Sequence, residues 1–532
     1  MNTSTGTLPP SPVVTPDVVR DYAAEAGVCV RPLLRTVTDR ATGQSSTVVI
    51  RCGSTRESRC PPCAAKARRL RMQQCAEGWH LADDPLPPPE QSSGQDEQQV
   101  ETDDPEQAGN GSSRRVRSTR RRSDAADLPK VPQEHRSVGR TFSAPDGTTY
   151  RPSMFVTLTL GSYGKVIPGR KRVRVPGAGA PVRPADYDYR RAAVEAMFFT
   201  RLFDRWVQNL RRCAGFKVQY FGAIEPQRRM APHIHVAMRG AIPRATIRAV
   251  TKATYLQLWW PSFDQVVYTD PDRQPWWDQS QGRYRCPETG MVLPTWEQAL
   301  DELDADPDAT PAVVMRFGTQ VDIQGIIAPS ADADRSIRYL TKYLTKDIAE
   351  TYSAPDATPL DLAYERHIDR LFDQVTVLPC SPECSNWLRY GIAPKDAGPG
   401  LDRGLCPSNA HQRENLGLGG RRVQVSRAWS GKTLSEHKAD RASVVREVLK
   451  EAGIEAPDAD RMAADVLAED GLPRFVWEDV PVAERDYVTV VMASVLEAQR
   501  WRREYQEAKQ QAAARASPVP SEGLCTAVRQ LS

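Results

Sequence analysis

Two short stretches carry residue types whose spacing permits chemistry on a phosphate ester. The first is Pro232-His233-Ile234-His235-Val236, which holds two of the chain's seven histidines. On a strand, alternation sends both imidazoles to one face and Ile234 to the other, so two nitrogen ligands converge on one point. Glu225 stands eight residues before His233, across a turn with Gln227, Arg228 and Arg229, where hairpin pairing would bring its carboxylate beside the histidines. Two nitrogens and one oxygen leave positions open for water and phosphate oxygens, which suits Mg²⁺ or Mn²⁺ acting as a Lewis acid on a phosphodiester. By itself a His-x-His is also compatible with strand histidines satisfied by hydrogen bonds.

The second stretch is Arg338-Tyr339-Leu340-Thr341-Lys342-Tyr343-Leu344-Thr345-Lys346, a Tyr-x-x-Lys unit written twice. At about 100° per residue, Ile337, Leu340, Leu344 and Ile348 form one apolar stripe. Tyr339 and Tyr343 are i,i+4 neighbours off that stripe, flanked by Lys342 and Lys346, so their hydroxyls face a charged surface. A tyrosine with a pKa near 10 attacks poorly at neutral pH unless a cation lowers that value or a metal polarises its target. Adjacent lysines serve both transition-state charge and phosphate binding. A solvated amphipathic helix is the plainer alternative.

Such groups need strands and helices to position them, and the surrounding pattern provides candidates. Met154 to Leu160 is apolar and β-branched; a long helical stretch follows from about Tyr189 to Cys213. Val218–Gly222 and His233–Met238 read as a hairpin, Ala245–Leu258 as a helix, Val313–Ile323 as a strand and Ala333–Ile348 as a helix. The polar stretch Asp264–Asp308 reads as an insertion. Residues 1–28 are rich in Pro and Thr and read as disordered, as does the 83–140 linker with its run Arg114, Arg115, Arg117, Arg120, Arg121 and Arg122. Beyond Ala442 the chain reads as helices ending in the charged segment Arg500–Arg515.

Composition bounds the rest. A chain of 532 residues, at roughly 100 to 200 per domain, is expected to form about three units. No apolar run approaches the roughly 18 residues that a membrane span needs. Pro9, Pro10, Pro12 and Pro16 stand where a secretory signal would be apolar, so a cytoplasmic chain is expected. Eleven cysteines in a reducing compartment suit metal better than disulfides. Cys380-x3-Cys384 with Cys406-x4-His411 offers two ligand pairs for tetrahedral Zn²⁺. Cys52, Cys60 and Cys63, with Cys75 and His80 beyond and Cys29 as a substitute, form a second candidate group whose ligand set stays open. Arg56, Arg59, Lys66, Arg68, Arg69 and Arg71 crowd that segment and favour a zinc-stabilised DNA-binding face. The net charge of +4 says little, but Lys165, Arg170, Lys171, Arg172 and Arg174, and again Arg421, Arg422, Arg427 and Lys432, form basic clusters able to neutralise phosphates. Ser430-Gly-Lys-Thr433 ends like a Walker A loop but has Ser426 where the first glycine belongs, so no ATP site is expected.

An apolar strand, a His-x-His strand and a Tyr-x-x-x-Tyr helix, in that chain order, resemble the HUH endonucleases and specifically the two-tyrosine rolling-circle replication initiators. The phrases Leu158-Thr-Leu-Gly-Ser-Tyr-Gly-Lys165, Tyr187-Asp-Tyr-Arg-Arg191, Gln219-Tyr-Phe-Gly-Ala-Ile-Glu-Pro-Gln227, Ala231-Pro-His-Ile-His235 and Trp429-Ser-Gly-Lys-Thr-Leu434 resemble RepSA-type initiators of actinobacterial plasmids and integrative elements. The resemblance runs over most of residues 29–435. It implies an HUH core of antiparallel sheet flanked by helices at 141–350; with the cysteine-rich zinc modules that the ligand spacing suggests at 29–82 and 351–435, and the helical region read from the pattern at 436–532, an α+β fold is expected. It implies metal binding by His233 and His235 with Glu225, or in competition Gln227, and a tyrosine nucleophile that keeps the 5′ phosphate and leaves a 3′-OH primer. Tyr343 is expected to attack first with Tyr339 as partner. Origin DNA, a host helicase and the replication machinery are the implied partners. A two-tyrosine single-strand transposase is the enzymatic alternative, and a noncatalytic zinc-dependent DNA-binding regulator the other.

Overall fold

The computed structural model describes residues 15–81, 121–136, 141–143, 145–147, 149–170, 173, 175–270, 272–328, 330–348, 359–419, 422–451, 466–468, 470–480 and 487–516. The arginine run at 114–120, most of the expected linker, Lys171, Arg172, Arg174 and Arg421 lie outside the described residues. In chain order the elements are α1 (Pro16–Glu25), β1 (Leu33–Asp39), β2 (Ser45–Ile50), α2 (Pro61–Trp79), β3 (Phe142–Ser143), β4 (Thr149–Leu160), α3 (Tyr189–Ala214), β5 (Tyr220–Pro226), β6 (Pro232–Arg239), α4 (Arg244–Ala253), β7 (Tyr255–Leu258), β8 (Trp276–Asp278) and β9 (Arg283–Arg285). There follow α5 (Trp296–Ala305), β10 (Val313–Ala328), α6 (Ala331–Thr341), α7 (Pro359–Val377), β11 (Val423–Val425), α8 (Leu434–Glu451), β12 (Phe475–Asp479) and α9 (Tyr487–Ala516). No helix among the described residues is long and apolar enough to cross a membrane. The chain divides into two units, one of residues 1–71 and 434–532, the other of residues 72–433.

In the first unit β1 is the middle strand of a three-stranded antiparallel sheet, paired to β2 by a local hairpin and to β12 from the far end of the chain. The Arg474 guanidinium donates to both carboxylate oxygens of Asp39 across that long-range pairing. Val19 and Ala23 of α1 share a core with Val491 and Val495 of α9 and with Cys29, Cys60 and Cys63. Helix α1 lies within the stretch expected to be disordered. The residues behind that expectation start the helix: Thr15 caps it by accepting from the Val18 N–H, Pro16 occupies its first turn, and Asp17 favours the positive end.

The second unit is mixed α and β, built on a curled antiparallel sheet in the order β11-β5-β6-β4-β10-β7, with β3 on β4. Both faces are covered. Val156, Leu158, Ile224, Ile234 and Val236 face α3, whose Phe198, Phe199, Leu202, Phe203 and Trp206 fill the core. Fully burying one phenylalanine is worth about 1.5–3 kcal/mol, and Phe199 and Phe203 both reach zero exposure. Asp188 accepts from the Arg191 N–H at the start of α3, and Gly215 ends it in the left-handed region at φ 74°. Alternation turns Phe155, Phe221, Ala223 and Ala237 to the opposite face, where they meet Ile337 and Leu340 of α6, Trp79 of α2 and Trp429. Gly78 must stay small there, because a Cβ at that position would lie 2.2 Å from the Trp429 ring.

Several elements depart from expectation, among them β12, a strand in the stretch beyond Ala442 that reads as helical, whose pairing with β1 is set by a partner far along the chain. The helix expected over 245–258 ends at Ala253, after which Tyr255–Leu258 turns extended and pairs with Val313–Arg316 as a sheet edge. The stretch 264–308, expected to be irregular, contains the β8–β9 hairpin and α5, the latter closed by a capping box between Thr295 and Gln298. The helix expected to run to Ile348 stops at Thr341. The Thr341 hydroxyl donates back to the Ile337 carbonyl, and the chain continues in tighter i to i−3 turns, Lys342 N–H to Tyr339 O and Lys346 N–H to Tyr343 O. The Ile348 N–H then bonds the Glu414 carbonyl, tying the segment to a distant loop.

Candidate active site

Strand register builds the site. Glu225 of β5 pairs directly with His233 of β6, while His235 lies opposite Ala223 on one side and Thr157 of β4 on the other. The three side chains therefore emerge on the α6 face of the sheet, all buried, with their ligand atoms within 4.8 Å of one another. His233 Nε2 and His235 Nε2 are 2.9 Å apart, and Glu225 Oε2 is 3.9 Å from His235 Nε2. Glu225 Oε1 and His233 Nδ1 are buried without a hydrogen-bond partner. Buried polar atoms left orphaned in this way cost free energy, and two imidazoles plus a carboxylate are the donors a divalent cation takes. Gln227 does not join them, because its Oε1 accepts from Arg229 Nε at 2.7 Å.

The electrostatics fit neutral imidazole ligands. Burial pushes His233 down to about 4 and, helped by His233, His235 down to about 3. Burial also raises Glu225 to about 7, against the opposing pull of Arg422 and Lys342. Arg422 was grouped from sequence with a surface basic cluster. Instead it is buried, donating through Nε to the Ile224 carbonyl at 3.3 Å and through its terminal nitrogen to the Lys346 carbonyl.

The tyrosines separate. The Tyr339 hydroxyl lies 3.2 Å from His235 Nε2, and its ring meets His235 edge-on at 4.9 Å and Phe155 at 6.3 Å. Burial, followed by the Glu225 charge, pushes its phenol up to about 12. Tyr343 stands beyond the end of α6, half-buried, with the Lys342 ammonium 4.8 Å from its ring centre. Lys342 and Lys346 are exposed. The i,i+4 helical pairing expected for the two tyrosines is thus replaced by one helical tyrosine at the histidines and one in the following turns.

The sequence places Phe155 and Thr157 in an apolar strand but shows no role for them at the histidines. Thr157 Oγ1 lies 2.9 Å from His235 Nδ1, and when Nδ1–H donates to it, the Nε2 lone pair is left to face the cluster. Phe155 stacks on the same imidazole at 5.7 Å. The period-two pattern of β4 was the available signal, but which strand lies beside β6 was not in it. Thr157→Val keeps the shape and removes the acceptor. Loss of such an outer partner typically costs 10–100-fold in metal affinity, so divalent-cation binding measured by calorimetry is expected to weaken by about tenfold or more.

Two further clusters could hold a metal ion such as zinc. Cys380, Cys384, Cys406 and His411 come together as their spacing suggests: Cys380 and Cys406 sulfurs at 3.8 Å, Cys384 Sγ and His411 Nε2 at 3.4 Å. His411 Nδ1 lies 2.7 Å from the Val375 carbonyl, the contact that directs Nε2 inward. Hydrogen bonds from Cys380 and Cys384 hold the Cys406 thiol far below its ordinary value. In the other cluster the four ligands are Cys29, Cys52, Cys60 and Cys63. Cys75 is not among them. It lies twelve residues along α2 from Cys63, roughly 18 Å at 1.5 Å per residue, and is buried instead in the core with Trp79 and Trp429. His80 also sits apart, its Nε2 3.7 Å from Asp334. Of the basic cluster at 170–174, Arg170 is described and exposed. The Walker-like segment does structural work, with Trp429 fully buried and its indole N–H donating to the Cys75 carbonyl.

A family model described as replication initiator protein, pSAM2, under the name RepSA, matches residues 15–491. No curated protein matches the chain, and no solved structure does.

Proposed function

The chain belongs to the RepSA family of replication initiator proteins, and from that premise we propose that it nicks origin DNA through a tyrosine nucleophile on an HUH-type sheet. One observation carries the reading: Tyr339 is exposed to the solvent from which DNA would come, yet its hydroxyl is 3.2 Å from His235 Nε2, at the edge of the buried Glu225, His233 and His235 cluster. Those three residues would hold Mg²⁺ or Mn²⁺, which when bound supplies Lewis-acid polarisation of a phosphodiester oxygen. The phenolic oxygen of Tyr339 attacks the scissile phosphorus; the bond from phosphorus to the 3′ oxygen breaks, and the phenolic proton ends on that oxygen. The products are a 5′-phosphotyrosine and a 3′-OH that can prime synthesis. We assign first attack to Tyr339 and the later transfer to Tyr343, the reverse of the order the resemblance implied, because the Tyr339 hydroxyl adjoins the metal ligands. Lys342, beside the Tyr343 ring and within electrostatic reach of Glu225, and Lys346 would offset phosphate charge.

The test uses purified full-length protein, Mn²⁺ or Mg²⁺, and labelled single-stranded oligonucleotides tiling the protein's own locus. A denaturant-resistant protein–DNA adduct that EDTA abolishes is expected at one site in an origin. Absence of an adduct on every strand, together with EDTA-insensitive duplex binding, would support the noncatalytic regulator; a site at an element end would support the transposase.

A further inference from the structure

The floor of the tyrosine site continues past the metal ligands onto β10. Across the sheet, Ala223, His235, Thr157 and Asp322 form one row of paired residues, and Ala237, Phe155 and Gln324 form the next. Residues paired in this way share a face, so Asp322 and Gln324 stand on the side that carries His235 and Phe155, against which Tyr339 packs. At about 4.8 Å between strands, Asp322 is one strand from Thr157 and roughly 10 Å from His235. The same face of β10 then turns apolar. Ile326 and Ala328 are buried with Ala333 and Ile337 of α6, whereas Asp322 and Gln324 are exposed beyond that cover. Among the described residues no strand pairs with the outer side of β10 beyond Arg316, so this end of the floor is open.

The two side chains are fixed to each other. Gln324 Nε2 donates to Asp322 Oδ2 at 3.0 Å, which uses one of the amide's two hydrogens and one of the carboxylate's two oxygens. What the pair presents to the open surface is a carboxylate acceptor beside an amide donor. A carboxylate repels the DNA backbone, so this pair is unsuited to phosphate, which the exposed Arg338, Lys342 and Lys346 of α6 and its following turns would take instead. It suits a base edge. Unpaired bases are recognised by stacking on aromatic rings and by hydrogen bonds to their Watson–Crick edges. Of the four bases, guanine alone presents two neighbouring donors, N1–H and N2–H, beside an acceptor, O6. The carboxylate can accept from both donors while the second amide hydrogen donates to O6.

We propose that Asp322 and Gln324 are the specificity-determining pair of the tyrosine site, reading an unpaired guanine that flanks the scissile phosphate. This inference rests on the reading of the chain as a DNA-nicking initiator.

The full-length protein, Asp322→Asn and Gln324→Leu are compared in two assays. In the first, Mn²⁺-dependent adduct formation is measured on the origin oligonucleotide with each base in turn at the positions flanking the nick. In the second, EDTA replaces the metal, and fluorescence anisotropy follows binding to labelled oligo-dT carrying one central guanine, adenine or cytosine. The wild type should favour guanine by about tenfold, at one flanking position and in the oligo-dT series, which is the discrimination that one good bidentate contact supplies. Asp322→Asn should erase that ratio and Gln324→Leu should reduce it. Inosine, which lacks the N2 amine, should weaken the wild type more than Asp322→Asn. Melting temperature and divalent-cation affinity are the controls, and a merely structural role would lower all bases together and leave the ratio. Lack of a guanine preference on the nicked oligonucleotide, or a preference that survives Asp322→Asn, overturns the proposal. With no adduct from the wild type the nicking reading fails and the oligo-dT series decides: a guanine ratio lost in Asp322→Asn keeps the contact, and no ratio overturns it as well.

Discussion

Tyr339→Phe is expected to bring the covalent adduct below detection, while Tyr343→Phe still forms the first adduct and is blocked in the second transfer. Phenylalanine keeps the ring that packs edge-on against His235 and Phe155 and removes only the hydroxyl 3.2 Å from His235 Nε2. The fold and the ligand cluster should therefore survive, and metal binding by the Tyr339→Phe protein is the control. A carbon ring offers no oxygen to phosphorus, so the covalent path closes instead of slowing. The wild-type phenol is pushed up to about 12 by partial burial and then the Glu225 charge, so the proposed attack would depend on the charges placed around the phosphate. The assay is a gel of labelled oligonucleotide and protein under denaturing conditions. An adduct retained by Tyr339→Phe and lost by Tyr343→Phe would restore the order that the resemblance implied.

Cys384→Ser is expected to remove one bound zinc per chain and to unfold the segment around it. Cys384 is fully buried and shares its cluster with Cys380, Cys406 and His411. Structural zinc in small modules contributes on the order of 10 kcal/mol of apparent folding free energy, comparable with the roughly 5–15 kcal/mol by which whole domains are stable. Losing one thiolate therefore threatens more than a local loop. The nearby Trp387 reports on it: this indole is fully buried, packs against Trp260 and Trp296 at 5.9 and 4.9 Å, and donates to the Ser381 carbonyl at 2.9 Å. Metal analysis and tryptophan emission should shift together, the emission to the red. Cys75→Ser, outside either cluster, should keep the full zinc content. Equal zinc and equal emission in Cys384→Ser would refute a structural metal at this cluster.

What the sequence by itself determined is what a few adjacent residues dictate. Alternation in His233-Ile234-His235 forces both imidazoles to one face, and the Cys380, Cys384, Cys406 and His411 pairs bracket a short loop, so both groups were legible before any fold was known. The length of α3 was legible for the same reason, since its apolar period and the Asp188 cap are local. Tertiary structure decided whatever depends on distant neighbours. Glu225 and not Gln227 reaches the histidines because of the β5–β6 register, and Thr157 reaches His235 because β4 is the strand beside it. Cys29 replaces Cys75 because Cys63 and Cys75 stand twelve residues apart on one continuous helix, α2, which carries Cys75 away from the other thiols. The two tyrosines part because the chain after Thr341 is drawn into turns and bonded to Glu414, a contact no helical period encodes. Arg422 turned inward and β12 joined β1 by the same logic. Side-chain direction over a few residues follows from backbone geometry alone, whereas a partner hundreds of residues away is chosen by which buried faces the whole chain can pair.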